Sequence, residues 1–302
     1  MAKLLEYSTR ETVLAFSTYR GEDTGSYGGF NITHYCGDAA LHVEQCREEL
    51  CRELGIDDNH LILPRQTHGD KVIAIDGTFM QLDKTRQTDV LMGVDAVITD
   101  LEQTCIGVST ADCIPVLLHD TKRDVIAAIH AGWRGTVAMI VCKAIDKMKR
   151  VYGSCAKDMN AIIGPGISID AFEVGDEVYN EFATAGFPME SIARRYPTID
   201  GGMKWHIDLW EANCRLLQQC GIERKNINIA GICTFTRHTE FFSARRLGIS
   251  SGRIFSGIME PSLRCWQITS AVLSLYPIAP IPTLPPVLIF YIIEQMFVLV
   301  KR

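Results

Sequence analysis

Short apolar runs separated by polar turns dominate the hydrophobicity pattern of the chain. Their length and their content of β-branched residues are typical of buried strands. Four of them follow at close intervals between residues 95 and 129, which predicts a β-rich centre. The predicted strands are residues 12–18, 60–63, 72–75, 95–99, 104–108, 115–118, 125–129, 160–163 and 227–232.

Longer segments repeat apolar residues at helical spacing. In the first of them, Asp38 can cap a helix that carries Leu41 on its apolar stripe and ends at Gly55. The strongest helical pattern has Thr136 near its start and a lysine-rich end that suits the helix dipole. The predicted helices are residues 38–54, 135–152, 175–184 and 207–220.

Helices and strands are mixed without a strict βαβ repeat, which predicts an α+β fold with mixed sheets. We place it in one domain, residues 1–259, followed by an apolar, proline-rich extension, residues 260–302. The most apolar part of the extension, residues 287–300, contains Glu294 and Gln295 and is shorter than the roughly 20 residues of a membrane span. We favour an extension of unknown role over a membrane contact.

Composition and charge narrow the class of protein. The formal net charge of -6 argues against a general nucleic-acid binder. The eleven cysteines have no repeated spacing, and charged residues stand near Met1 where a secretion signal would be apolar. We therefore expect a cytoplasmic protein with free thiols, and we take a monomer as the working expectation.

Candidate metal ligands stand at the ends of predicted strands. Cys113 comes just after the apolar run 105–108, His130 closes the run 125–129, and His68 lies in the turn between two earlier strands. A Cys-His-His set leaves one tetrahedral position open, as in catalytic zinc sites. The ligands are too far apart in sequence for a structural zinc pattern, and an isolated Cys or His is more often packed in a core. Residue types alone leave both interpretations open.

The segment after His130 offers a candidate anion site. The strand passes through Gly132 and Arg134 into the predicted helix 135–152, so backbone N–H groups and a guanidinium could face a phosphate. A tight turn with a solvated Arg134 is an equally good interpretation.

Five motifs in order along the chain resemble the laccase-domain family. These proteins were once described as polyphenol oxidases and are now regarded as purine nucleoside phosphorylases with adenosine deaminase activity. The resemblance covers roughly residues 12–259. The motifs are RQTHGD at 65–70, TADC at 110–113, HAGWRGT at 130–136, GPGI at 164–167 and FFSARR at 241–246.

The resemblance implies a layered α/β/β/α sandwich like the catalytic domain of the cytotoxic necrotising factor toxins. It implies catalytic zinc, rather than copper, on His68, Cys113 and His130. It also implies phosphorolysis of adenosine, inosine, guanosine and methylthioadenosine to the base and the sugar 1-phosphate. Ala244 departs from the tyrosine common in the family, as does the stretch 236–238 from a more acidic one, and both bear on base preference.

Several residues could contact substrate. Arginines can clamp phosphate, and the early loop residue Asn31 could reach a ribose, although an ordinary polar loop explains it as well. Asp112, beside Cys113, could orient a ligand or an arginine, or cap a turn. The candidate substrate-binding residues are Arg65, Arg134, Arg245 and Asn31.

Three other functions compete with the zinc phosphorylase. The first is a metal-free hydrolase or deamidase with Cys113 as nucleophile and His130 as base. The second, a copper polyphenol oxidase, is less favoured because the eight histidines include no His-X-His pair. The third is a non-enzymatic binding module anchored by residues 260–302.

Overall fold

The apolar runs of the sequence form β-sheets, two of which stack face to face. The structure is a computed structural model that describes residues 2–8, 13–21, 27–198 and 200–260. The strands are β1 (Leu4–Glu6), β2 (Leu14–Thr18), β3 (Leu61–Ile62), β4 (Val72–Ala74), β5 (Ala96–Thr99), β6 (Cys105–Thr110), β7 (Ile114–Asp120), β8 (Val125–Ala131), β9 (Met159–Ile163), β10 (Glu173–Val174), β11 (Ala193–Pro197), β12 (Met203–Ile207), β13 (Ile227–Ile229) and β14 (Ile254–Met259).

Helices cover the outer faces of the two stacked sheets. The α-helices are α1 (Ala40–Leu54), α2 (Gly77–Met80), α3 (Lys84–Leu91), α4 (Trp133–Val137), α5 (Ile140–Tyr152), α6 (Asp176–Thr184), α7 (Met189–Ile192), α8 (Leu209–Gln219) and α9 (Ala244–Leu247). In the part of the chain that is described, no helix is long and apolar enough to cross a membrane.

Both stacked sheets are mixed, as predicted. The five-stranded sheet has the order β1-β2-β14-β6-β3, and the six-stranded sheet has the order β13-β9-β7-β8-β5-β4. In each sheet some neighbours are antiparallel and some are parallel. A third sheet is small and antiparallel, with the order β10-β12-β11, and shares no strand with the other two.

Three apolar layers hold the sheets and helices together. Side chains such as Val108 and Leu117 fill the layer between the stacked sheets. The six-stranded sheet buries its other face against α5 and α8, while the five-stranded sheet packs Phe16 and Phe255 against Leu50 of α1. The predicted α/β/β/α sandwich is therefore confirmed; the likeness to the toxin domain stays a prediction.

The hairpin of β7 and β8 sits at the centre of the six-stranded sheet. Ile114 pairs with Ala131 at one end of it, and Asp120 pairs with Val125 at the other. Alternate residues of a strand face opposite sides. Leu117 and Ala128 face the second sheet, so His119 and His130, which share their parity, face the same layer.

Some predicted elements differ from the structure. The helix predicted at 135–152 is broken, because Met139 adopts a left-handed conformation with φ 59° between α4 and α5. The first helix begins after Ala39 without a side-chain cap, so Asp38 does not cap it, and Leu41 is exposed. The predicted helix at 207–220 begins later, since Ile207 ends β12.

Strand boundaries also need correction. The strand predicted at 60–63 is limited to Leu61–Ile62, and the strand predicted to reach residue 232 ends at Ile229. The sequence pattern missed β14, the middle strand of the five-stranded sheet. The extension from residue 261 onward lies outside the described residues.

Candidate active site

Three predicted ligands meet at one end of the sheet sandwich. His68 lies in the connection from β3 to β4, Cys113 immediately precedes β7, and His130 lies near the end of β8. Their ligand atoms are all within 4.8 Å of one another, and the two imidazole rings meet edge to face with centroids 4.9 Å apart. His130 is buried, Cys113 is half-buried and His68 is exposed, so the cluster opens to solvent on one side.

The backbone around the cluster is unusual for residues that carry side chains. His68 has φ 60° and Asp112 has φ 87°, both in the left-handed region that costs a non-glycine residue free energy. Gly132 leaves room for the ligands, because a Cβ there would lie 2.9 Å from Cys113 Sγ and 3.4 Å from His68 Cδ2. The segment therefore needs glycine for space rather than for its backbone angles.

Asp95, which sequence reasoning missed, holds two of the ligands in place. Its Oδ1 accepts a 2.7 Å hydrogen bond from His130 Nδ1, and the carboxylate also accepts the backbone N–H groups of Thr67, His68 and Gly69. The side chain is fully buried. Carboxylates that fix the tautomer of a metal-binding histidine are common in metal sites, and this one leaves His130 Nε2 as the nitrogen not used by Asp95.

The charges of the cluster reinforce one another. Burial raises the pKa of Cys113, but His130 and His68 outweigh it through charge and hydrogen bonding and lower that pKa to about 6. Burial likewise opposes protonation of His130, yet the Cys113 thiolate and Asp95 raise its pKa to about 9. Both shifts have the same consequence: they favour a thiolate on Cys113 beside an imidazolium on His130.

Side-chain hydrogen bonds fasten the His68 loop to β6. Gln66 Oε1 accepts from the N–H of Ser109, and Gln66 Nε2 donates to the carbonyl of Ser109, each at 2.8 Å. Tyr35 Oη adds hydrogen bonds to Pro64 O and to Gln66 Oε1. The side-chain amide of Gln66 therefore both donates to and accepts from the backbone of Ser109, as a residue of a neighbouring strand would.

Asp112 forms hydrogen bonds to the region around Arg245 and not to one of the candidate metal ligands. Its Oδ1 accepts from Thr234 Oγ1 and its Oδ2 from the backbone N–H of Arg245, both at 2.7 Å. Arg245 is exposed, and its Nη2 donates to Glu173 O at 3.1 Å. Asp112 therefore fixes the backbone of Arg245 at the start of α9, while the guanidinium is held by Glu173.

The remaining substrate-binding candidates are in different surroundings. Arg65 is exposed, with its guanidinium 6.0 Å from the ring centre of Tyr35. Arg134 is exposed and stacks over Trp133 at 4.2 Å. Because α4 is only one short turn, Arg134 lies on a tight strand-to-helix connection rather than at the start of a long helix.

Asn31 is fully buried and bonded to protein groups. Its Nδ2 donates to Asp38 Oδ2 at 2.7 Å, and its Oδ1 accepts from the N–H groups of Thr33 and Arg253 at 3.2 Å. A ribose contact for Asn31 stays a prediction.

The donor set fits a three-ligand zinc ion. Two imidazoles and a thiolate are ligands that zinc accepts, and a catalytic zinc site keeps a further position open. The low pKa of Cys113 supplies the thiolate that metal binding needs. The second nitrogen of His130 is already held by Asp95, as in established metal sites.

Comparisons with known proteins identify the family of the chain. A family model described as multi-copper polyphenol oxidoreductase laccase matches residues 13–260. A purine nucleoside phosphorylase of Bacteroides thetaiotaomicron is 43% identical over 254 residues, covering 83% of this chain and 93% of that protein. Adenosine deaminase RL5, from an unknown prokaryotic organism, is 45% identical over 250 residues, covering 82% and 94%.

Solved structures show the same fold. The hypothetical protein YfiH of Bacillus licheniformis superposes with a TM-score of 0.77 at 27% identity, covering 86% of this chain and 97% of that one. YlmD from Geobacillus stearothermophilus gives a TM-score of 0.76 at 25% identity, covering 86% and 96%.

Proposed function

The chain belongs to the multi-copper polyphenol oxidoreductase laccase family, and on that premise we propose that it is a zinc-dependent purine nucleoside phosphorylase that also deaminates adenosine. The names of two relatives more than 40% identical to it support both activities. The observation that carries the proposal is the convergence of His68, Cys113 and His130 with Asp95 behind His130. The proposed substrates are adenosine, inosine, guanosine and methylthioadenosine, with phosphate.

His68, Cys113 and His130 would hold the ion. Zinc bound there supplies a Lewis acid. The chain's own contribution is to prepare the ligands: Asp95 fixes the ring of His130, and the neighbouring imidazoles keep Cys113 ionised. Gly132 packs closely against Cys113 and His68, which restricts the movement of both ligands. The ligands would therefore be positioned before an ion binds.

Phosphorolysis needs an anion site beside the sugar. Phosphate attacks C1′, the bond from C1′ to the purine nitrogen breaks, and the purine leaves with the bonding electrons and takes up a proton. Arg245 is the best-supported clamp for the phosphate, since its backbone is fixed by Asp112 and its guanidinium is exposed. Arg65 and Arg134 are the further candidates.

Deamination uses a different part of the nucleoside. Water attacks C6 of adenine, and the amino group leaves as ammonia. The reacting atom is then on the base instead of the sugar, so one substrate pose cannot be optimal for both reactions. Either one activity dominates or the nucleoside binds in two ways.

A metal-free cysteine hydrolase is the second candidate, and one observation favours it. The charges favour a thiolate on Cys113 next to an imidazolium on His130, and Asp95 holds the other side of that imidazole ring. This arrangement activates a cysteine nucleophile. The same charges are also what a zinc thiolate site needs, so only the metal requirement separates the two functions.

Product analysis tests the main proposal. The full chain is incubated with adenosine, with and without phosphate, and the products are separated. Adenine and ribose 1-phosphate that appear only with phosphate support phosphorolysis, and inosine supports deamination. Absence of both from zinc-loaded protein would refute the proposal. Cys113→Ser and His130→Ala should lose the activity, whereas Cys155→Ser, at an exposed cysteine, should keep it.

Metal dependence separates the two candidates. The zinc enzyme should lose activity on chelation and regain it with zinc, and Cys113→Ser should lower the bound zinc. Full activity after chelation that is still abolished by Cys113→Ser would establish the metal-free hydrolase instead.

A further inference from the structure

A second group of potential ligands lies at the opposite end of the β7–β8 hairpin. His119 Nε2 is 3.8 Å from Asp124 Oδ1 and 3.8 Å from Glu260 Oε1. The ligand atoms of the three side chains are all within 4.8 Å of one another. His119 is separated from Cys113 by six positions of extended strand, roughly 20 Å, so this group is distinct from the candidate active site.

The three residues come from both stacked sheets. His119 is buried on the face of β7 that looks toward the five-stranded sheet. Glu260 directly follows β14, the middle strand of that sheet, and its carbonyl accepts the N–H of Gln103 at 2.9 Å. Asp124 lies in the turn from β7 to β8 with φ 52°. The group therefore closes the edge of the layer between the sheets.

The charges around Glu260 favour a cation. Its Oε1 is buried and accepts no hydrogen bond from any residue that the structure describes. Burial is the main cause that raises the pKa of Glu260 to about 8, and Asp124, Glu102 and Asp100 add to it. A buried carboxylate among other carboxylates is costly unless a positive charge compensates it.

We propose that His119, Asp124 and Glu260 bind a divalent transition-metal ion that links the two sheets. Two ligand atoms that each lie about 2.1 Å from one ion are at most about 4.2 Å apart, and both 3.8 Å separations satisfy that limit. The two carboxylates need at most a small approach, which Asp124 can make because its side chain is 64% exposed.

The donor set distinguishes this site from the first one. One imidazole and two carboxylates accept manganese, iron or zinc, whereas a thiolate with two imidazoles favours softer ions. Mn²⁺ is therefore the probe that should prefer the second site. Since the ligands join separate sheets, the bound ion should stabilise the folded chain without taking part in nucleoside chemistry.

The test is a titration of the full-length protein with Mn²⁺, followed by electron paramagnetic resonance of the free ion. Wild type and Cys113→Ser should bind one Mn²⁺ with equal affinity. Glu260→Gln and Asp124→Asn should weaken binding by at least about tenfold, since even indirect supports of a metal site contribute that much. Glu102→Gln removes a nearby exposed charge outside the group and should change affinity by less than about fivefold.

Melting temperature gives a second reading. Mn²⁺ should raise the melting temperature of wild type and Cys113→Ser but not that of Asp124→Asn, a substitution that leaves the core intact because the side chain is 64% exposed. The proposal is overturned if wild type binds no Mn²⁺, if binding is lost in Cys113→Ser, or if both carboxylate variants bind it as wild type does.

Discussion

At the scale of single residues, Asp95 connects the elements of the candidate site more than any ligand does. One carboxylate receives the His130 ring and three successive backbone N–H groups of the His68 turn. The ligands themselves were predicted because Cys and His at strand ends are chemically conspicuous. Asp95 was not, because an aspartate before a strand is common and its link to His130 depends on the pairing of β5 with β8.

We expect Asp95→Asn to weaken zinc binding by about 10–100-fold, the usual effect of removing a partner of a metal-binding histidine. The amide cannot match a charged acceptor for His130 and three N–H groups, and it lowers the pKa of His130 by removing a negative charge. Competition with a chelator measures the affinity. Asp70→Asn, at a nearby exposed carboxylate paired with Lys143, is the control; equal losses in both variants would contradict the assignment.

Gly132→Ala tests the space around the thiolate. The added methyl group would lie 2.9 Å from Cys113 Sγ, so we expect zinc affinity to fall by at least about tenfold. The backbone at Gly132 is ordinary, with φ -67°, so the fold should persist. Gly77→Ala, where a Cβ meets nothing within 4 Å, is the matched control. Wild-type zinc affinity in Gly132→Ala would show that the cluster has room for another methyl group.

The thiolate of Cys113 can be measured in zinc-free protein. Because His130 and His68 outweigh burial and lower its pKa to about 6, most of the thiol should be ionised at pH 7. Alkylation by iodoacetamide, followed by mass spectrometry of the Cys113 peptide, should rise around pH 6 and level off above it. A rise only near pH 9 would contradict this, and added zinc should protect the residue.

At the scale of elements, the connections were harder to predict than the strands. The pattern of residues 135–152 gives no glycine or proline at the break, so periodicity could not reveal that Met139 separates α4 from α5. The strand β14 was missed because Ser256 and Gly257 interrupt its apolar run. A Cβ at residue 257 would lie 2.6 Å from the Phe255 ring, so the close packing requires the glycine.

The hydrogen bond from the Arg245 backbone in α9 to Asp112 can be tested by substitution. Asp112→Asn tolerates the positive φ but weakens the hydrogen bonds to Thr234 and to the N–H of Arg245. If Arg245 clamps phosphate, KM for phosphate should rise by about tenfold, the effect of losing roughly 1.5 kcal/mol of binding. Zinc affinity should stay near wild type, the opposite pattern from Asp95→Asn; a lost metal with an unchanged KM would contradict the role given to Arg245.

At the scale of the whole molecule, the mixture of strands and helices predicts an α+β fold with mixed sheets, but it does not predict the strand order. The middle strand of the five-stranded sheet comes from the far end of the described chain. We expect a chain ending at residue 261 to fold and keep its activity, because the described residues up to Glu260 belong to one compact unit. A chain ending at residue 253 should not fold. It loses Ile254, Phe255, Ile258 and Met259, whose burial is worth about 6–12 kcal/mol, comparable to the whole stability of a domain.

Circular dichroism and thermal melting of the two truncated chains provide the measurement. Cooperative unfolding of the shorter chain would show that β14 is dispensable. Loss of structure in the longer chain would show that residues 262–302 belong to the same folding unit, contrary to the predicted domain boundary.

The central place of β14 also sets the order of events on the ribosome. Strands β2 and β6 are translated long before the strand that joins them. At roughly 5–20 residues per second, the ribosome needs roughly 7–30 s to pass from the end of β6 to the start of β14. During that interval two strand edges of the nascent polypeptide face no native neighbour and are open to pairing with other chains. The yield of protein in a cell should therefore depend on translation speed and chaperone supply as well as on the stability of the finished fold.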